Sequence, residues 1–287
     1  MSYKPYRSAP YKTDLPVMLP ASVKSGASFM LQMKPWHGLV LAGLCVFTSS
    51  LSFAQADVTR DGVFTVLWRW MPLLLQGFIF NLVISVCAMA VGTAVGAALG
   101  LGQISPNGFI RRFCWFITQF FRNAPWLVLL FFAMFLLPFQ IKIGGITIPL
   151  PDWLKAIFGL SLPVMANVSE IVRGAVTSLP SGQWEAAESL AYTRRQTLWL
   201  IILPQCVKRM LPPWMNLYAI LTMATVLASI VGVSEVMTLT GQALAAEGGR
   251  TDLLAPFYSF VLLIFFIYCY PIARWTVYLE KKYAVKG

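Results

Sequence analysis

The chain has 287 residues, of which 58% are hydrophobic and only 11% charged; soluble domains carry roughly 25% charged residues, so this composition belongs in a bilayer. The net charge of +11 sits in short clusters between apolar runs, with no basic stripe and no nucleic-acid motif, which argues for membrane topology and against nucleic acid as a partner. One histidine, His37, and five cysteines without CxxC spacing (Cys45, Cys87, Cys114, Cys206, Cys269) offer no metal site and no catalytic dyad, and the cysteines read as buried free thiols.

Residues 1–37 are Pro- and Ser-rich, with Lys4, Arg7, Lys12, Lys24 and Lys34 against Asp14, and read as a disordered basic N-terminal tail. Residues 38–56 carry no charge and suit an extra N-terminal membrane helix. Ala54-Gln55-Ala56 offers signal-peptide cleavage as the alternative to a retained anchor. A span is expected at about 72–101, with Gly92, Gly96 and Gly100 forming a face of small residues that lets another helix approach closely, read as packing within the chain in preference to a dimer seam. Arg111, Arg112 and Arg122 precede a span at about 124–139, with Arg122 expected to snorkel at the interface. A loop with Pro149-Leu150-Pro151 leads to a weaker span near 154–172, followed by spans near 212–232 and 253–273. The basic segment 276–287 closes the chain. This pattern predicts an all-α integral membrane protein of about six transmembrane helices.

The positive-inside rule sets the orientation. With residues 1–37, 102–114, 174–211 and 273–287 on the cytoplasmic side, 15 of the 22 Lys and Arg lie there and five lie opposite. Both termini are then cytoplasmic, and so is the polar stretch from Leu179 to Gln205. Within that stretch, the run from Glu185 is expected to form a short helix that breaks at Ala191-Tyr192. Thr193-Arg194-Arg195-Gln196 reads as a capping box opening a second helix. Leu198, Trp199, Ile201 and Ile202 give this helix an apolar face, and Pro204 marks its expected end. No G-x-x-x-x-G-K-[ST], H-E-x-x-H or G-x-S-x-G occurs, so an enzyme is poorly supported and the chain has no P-loop for ATP.

Gly182-Gln183-Trp184-Glu185-Ala186-Ala187, followed by Leu203-Pro204-Gln205, resembles the EAA loop of the membrane permease subunits of bacterial ABC importers. Phe121-Arg122-Asn123-Ala124-Pro125, Glu170-Ile171-Val172-Arg173-Gly174, Leu211-Pro212, Asn216 and Ser234-Glu235 are similar to further marks of the polar amino-acid uptake group, which imports histidine, glutamine, glutamate, arginine or opines. The similarity covers roughly residues 72–283, which contain a predicted transmembrane domain of 72–275, and implies a five-helix permease core beside the extra N-terminal helix. It further implies that Gly182, Gln183, Glu185, Ala186, Ala187, Glu188, Ala191 and Pro204 form a cytoplasmic coupling helix and its turn, seated on an ABC ATPase dimer that holds the ATP and Mg. A second permease (a homologue or a copy of this chain) and a periplasmic substrate-binding protein complete the implied assembly in the bacterial inner membrane.

Three departures from the family stand out. Ala191 occupies the usual place of a glycine, so the turn must avoid positive φ or accept strain. Met223-Ala224-Thr225-Val226-Leu227 replaces Lys-x-Thr-Ser-Leu, and Ala166-Asn167 stands where an aromatic residue is usual. Glu170, Asn216, Thr222, Thr225 and Glu235 are the candidate pathway residues, since polar groups inside spans are functional candidates by default. Glu170 is also expected to pair with Arg173 one turn on, and Glu235 is placed at the outer end of its span, lining the entrance. The competing function is an ion-coupled secondary transporter or channel acting without an ATPase.

Overall fold

A computed structural model describes residues 61–143 and 146–283 of the chain; the expected tail at 1–37, the extra helix at 38–56 and the last residues of the basic C-terminal segment lie outside them. Helix α1 (Val63–Gln103) is 41 residues long, beginning well before the expected span because Pro72 falls within it without ending it. α2 (Gly108–Asn123) and α3 (Trp126–Leu136) are joined by a 105° bend. A two-stranded antiparallel hairpin follows, β1 (Gln140–Ile143) with β2 (Ile146–Pro149), in a register that places Gln140 opposite Pro149. α4 (Asp152–Thr177), the short α5 (Gly182–Ser189), the composite helix α6 (Arg194–Val231), α7 (Val236–Ala246) and α8 (Thr251–Tyr283) complete the described chain. Among the described residues α1, α4, α6 and α8 are long and apolar enough to cross a membrane, and the bent α2–α3 pair makes a fifth if it counts as one span.

Local chemistry accounts for the breaks. The Asn107 side chain caps α2 by accepting from the Phe109 amide at 3.0 Å. Proline at 125 forces Ala124 into extended backbone (ψ 138°), so α2 stops there and α3 starts in a new direction. Where the sequence suggested one span at 124–139, an amphipathic helix turns sharply into an 11-residue apolar one. α6 ends at Gly232, whose φ of 89° is the left-handed conformation that a glycine cap supplies.

The bundle is assembled on a parallel contact between α1 and α4. A Cβ on Gly96 would stand 2.5 Å from the Met165 carbonyl, and one on Gly100 would stand 2.7 Å from Val168's neighbour along the groove, the Val172 Cβ. Gly92 meets Val164 in the same way. The glycine row is thus an intramolecular seam, as expected. Around it Ile84, Ala88, Leu130, Leu160, Val164 and Leu221 form the main core. α3 runs antiparallel to α4, with Leu130 and Ala133 packed on Gly159. α8 covers the other side of α1 through Phe257 against the Val63 and Leu74 cluster and Phe265 edge-on to Phe78 at 5.0 Å.

We expect Gly96→Val to overpack this seam and cost about 1–3 kcal/mol, read as a lowered thermal midpoint of the detergent-purified chain; an unchanged midpoint would show that α1 and α4 do not meet there.

Candidate functional site

The polar interruption between α4 and α6 folds as the sequence pattern suggests, and its details show how it is held. α5 stops in a complete Schellman turn: the Ala191 amide donates to the Glu188 carbonyl (2.9 Å) and the Tyr192 amide to the Ala187 carbonyl (3.1 Å). Ala191 takes a φ of 58°, the left-handed conformation that glycine adopts freely and an alanine adopts at about 1–2 kcal/mol. The turn thus accepts the strain. Thr193 and Gln196 then form a reciprocal capping box, with the Thr193 amide donating to Gln196 Oε1 at 2.9 Å and the Gln196 amide to Thr193 Oγ1 at 3.4 Å.

α6 does not end at Pro204. Thr197–Ile202 winds as a π-helix and runs into Leu203–Ala224 without a break, with Pro204 in the first turn of that segment. Proline lacks an amide proton and its ring crowds the carbonyl four residues back; the wider π turn directly before it removes the need for that bond. Ile202 is buried as expected, but Trp199 is exposed, because the π segment rotates the apolar face away from a regular 3.6-residue period.

α5 is fastened by one side only. Ala187 and Trp184 face inward, Trp184 joining Ala175, Val176, Leu179, Ile202 and Cys206 in a small cluster. Arg194 lies 5.6 Å over the Trp184 ring, a cation–π contact across the turn. Gln205 donates to Gln183 Oε1 at 3.3 Å, and Arg209 donates to the Ser178 carbonyl (3.0 Å) and hydroxyl (2.9 Å). The opposite side of α5 presents Gly182, Gln183, Glu185, Ala186, Glu188 and Leu190 to the surroundings. Of the residues singled out for coupling, Ala187 is therefore an anchor on the chain's own bundle, whereas the two glutamates are free to meet a basic partner.

The candidate pathway residues separate into two groups. Glu170 and Asn216 line a groove of 630 Å³ near the α5 end of the bundle, together with Asn167, Arg122, Arg173 and Arg209. Glu170 makes the expected pair with Arg173 (2.6 Å) and also meets Arg122 at 3.5 Å, so Arg122 reaches inward to a carboxylate rather than only snorkelling. Gln119 of α2 adds a 3.4 Å hydrogen bond to the same carboxylate.

Thr222, Thr225 and Glu235 are instead fully enclosed, at 0% exposure each. Glu235 does not line an entrance: its Oε1 caps α7 by accepting from the Met237 and Thr238 amides (2.9 and 3.1 Å), and its Oε2 accepts from Asn81 Nδ2 at 2.8 Å. Asn81 also donates to Thr225 Oγ1 (3.0 Å) and accepts from the Val236 amide (3.1 Å). Thr222 turns its hydroxyl to the Tyr218 carbonyl at 2.9 Å. Each of these polar groups is satisfied within the chain.

At the hairpin end, Arg250 pairs with Asp252 at 2.6 Å, and that hydrogen-bonded carboxylate raises the guanidinium above its ordinary pKa. Lys155, one of the few cations assigned to that side, is fully buried, held 3.3 Å from Asp152 and 3.5 Å over the Phe139 ring. Among the described residues no cluster of His, Cys, Asp and Glu has metal-binding geometry.

Two outcomes test this geometry. Ala191→Gly should be tolerated with an unchanged or raised thermal midpoint, whereas Ala191→Ile, β-branched at positive φ, should cost more than the roughly 1–2 kcal/mol already accepted by alanine and lower the midpoint. Asn81→Leu should leave Glu235 buried and short of a donor, costing about 1–3 kcal/mol; a variant as stable as the wild type would contradict the enclosed network.

A family model described as binding-protein-dependent transport system inner membrane component matches residues 90–285. The chain is 34% identical over 214 residues to the probable amino-acid ABC transporter permease protein YckA of Bacillus subtilis (strain 168), covering 74% of this chain and 90% of that one. It is 31% identical over 207 residues to the inner membrane amino-acid ABC transporter permease protein YhdY of Escherichia coli (strain K12), covering 72% of this chain and 55% of that longer protein. Among solved structures, the fold matches a crystal structure of an amino acid ABC transporter with histidines at a TM-score of 0.65 and 22% identity, over 78% of this chain and 100% of that chain. The chain belongs to the family of binding-protein-dependent transport system inner membrane components, the multi-pass permeases of ABC importers.

Proposed function

We propose that the chain is the permease subunit of an ATP-driven importer that carries a polar amino acid or opine-like solute across the bacterial inner membrane by alternating access, with both termini cytoplasmic. The observation that carries this reading is α5: a short helix, fastened on one side by Trp184 and Ala187, that offers Glu185, Ala186 and Glu188 outward between two spans. Such a helix fits a groove on a separate protein, with its carboxylates meeting basic groups at the rim. That partner is an ABC ATPase dimer, which binds ATP and Mg and supplies the hydrolysis that this chain has no P-loop to perform. The relatives' names, amino-acid ABC transporter permeases of two bacteria, support the solute class. A second permease, either a homologue or another copy, and a periplasmic substrate-binding protein complete the assembly.

Transmission through this chain follows from its helices. α5 is tied to the end of α4 and the start of α6, so a push on its outer face acts on both spans at once. The groove holding Glu170 and Asn216 lies between those two spans, where a tilt of one against the other changes its width. Its side chains, Asn167 and Asn216 with Glu170 and three arginines, offer hydrogen bonds to a zwitterion's carboxylate and amine. The same comparisons favour this reading over an ion-coupled transporter or channel working alone.

Glu185→Lys should leave the chain in the membrane and its stability within about 0.5 kcal/mol, as for an exposed position, while abolishing ATP-dependent uptake in vesicles carrying the whole complex. Uptake that persists in this variant, or that runs on an ion gradient in vesicles without ATP, would overturn the proposal. Asn216→Leu should slow uptake while the ATPase still co-purifies.

A further inference from the structure

The 16 residues of α2 present three separate faces around the helix. Cys114 and Thr118 are buried against the bundle: Gly102 packs on the Cys114 side chain, and Thr118 Oγ1 lies 3.1 Å from Gln103 Nε2 and 3.0 Å from Ser169 Oγ. Phe109, Phe113, Phe116 and Phe120 recur at helical spacing on the opposite side, each more than half exposed at 56–78%, and their rings stack in pairs at 6.3 and 6.5 Å. Between these faces Arg111 and Arg112 point outward, both exposed, with Arg111 donating to the Ser105 carbonyl at 3.4 Å.

The depth of α2 in the bundle fixes what lies against these faces. α3 runs alongside α4, so the 105° bend lays α2 nearly perpendicular to the spans. It crosses α4 at Ser169 and Glu170, about 27 Å along the helix from Asp152 at 1.5 Å per residue. The hydrocarbon core is about 30 Å thick. With the acidic start of α4 at one boundary, α2 therefore lies at the other, parallel to the membrane plane. A helix in that position with aromatic rings on one side and arginines on the next is the pattern of an interfacial anchor, whose rings enter the acyl boundary while its cations sit at headgroup level.

We infer that α2 is an in-plane helix that docks on the bilayer surface and binds anionic lipid headgroups through Arg111 and Arg112, with the four phenylalanines seated among the upper acyl carbons. The charge complementarity selects the lipid class: two guanidiniums beside an apolar stripe favour a phosphodiester with a net negative charge over a zwitterionic headgroup. Because α2 is hydrogen-bonded to both α1 and α4 and continues into α3, lipid bound there touches the elements that carry the polar groove. The inference does not depend on which solute is imported or on an ATPase.

The test uses the full chain, alone and with its co-purifying partners, in nanodiscs of phosphatidylcholine with and without phosphatidylglycerol. Retained lipid is counted by native mass spectrometry after transfer to detergent. Wild type should retain phosphatidylglycerol in preference to phosphatidylcholine. Arg111→Gln with Arg112→Gln should weaken that retention about 25-fold, at about a fivefold loss per surface arginine. Lys281→Gln with Lys282→Gln, on the basic end of α8, should keep at least most of it. A folded double-arginine variant, verified by an unchanged thermal midpoint, that retains phosphatidylglycerol like wild type would overturn the proposal. So would a Phe116→Ser and Phe120→Ser chain that keeps its lipid but loses a co-purifying subunit, which would assign the aromatic face to a protein partner.

Discussion

Everything in this bundle is placed by the close parallel contact of α1 with α4. Parallel helices cannot be joined by a short turn, so the chain must come back between them, and the stretch from α2 through α3 and the hairpin makes that connection. The three glycines let the two backbones approach closely enough for Val164, Val168 and Val172 to fill the space that side chains on α1 would occupy. Once that depth is set, Gln103 at the end of α1 and Ser169 on α4 come within 2.8 Å, and Glu170 is delivered to the groove beside them. The glycine seam positions the polar groove without touching it.

The opposite part of α1 is tied by a different kind of bond. Asn81, Thr225, Glu235 and the start of α7 form a buried polar knot in which one asparagine uses both ends of its amide. Networks of this type specify a single arrangement because any displacement leaves a charged or amide group without a partner in a medium that cannot supply one. α1 is therefore held at two levels, by shape near α5 and by hydrogen bonds near α7, and the motion attributed to α6 must be accommodated between them.

Local features were legible in the sequence. The capping box at Thr193 and Gln196, the glycine row and the Glu170–Arg173 pair each depend on residues a few positions apart, so spacing alone carried them. The family resemblance added the coupling role proposed for the stretch after Gly182. Features made by distant partners were not legible. Glu235 looked like a pathway residue because nothing near it in sequence reveals Asn81, 154 positions away. Arg122 and Glu170 meet only because α2 crosses α4. Pro204 looked like a stop signal, since the rule for prolines in helices assumes α geometry and the preceding π turn changes it. The bend at Pro125 is a case where the signal was present, an extended residue before proline, but a continuous apolar run masked it.

The π-helix at Thr197–Ile202 has a consequence for the angular relation of the two parts of α6. It accommodates one extra residue in the winding between the capped start of the helix and its membrane segment. Each residue of an α-helix turns the chain by about 100°, so the extra residue sets the azimuth at which α5 is presented relative to the faces of α6 that contact α1 and α8. Loss of a single residue in this segment would restore regular winding and leave every buried contact of the span intact in composition, yet it would swing the outward glutamates of α5 about the helix axis. The length of this short stretch is thus a gear tooth between the outward-facing helix and the bundle, constrained in number of residues more tightly than in their identity.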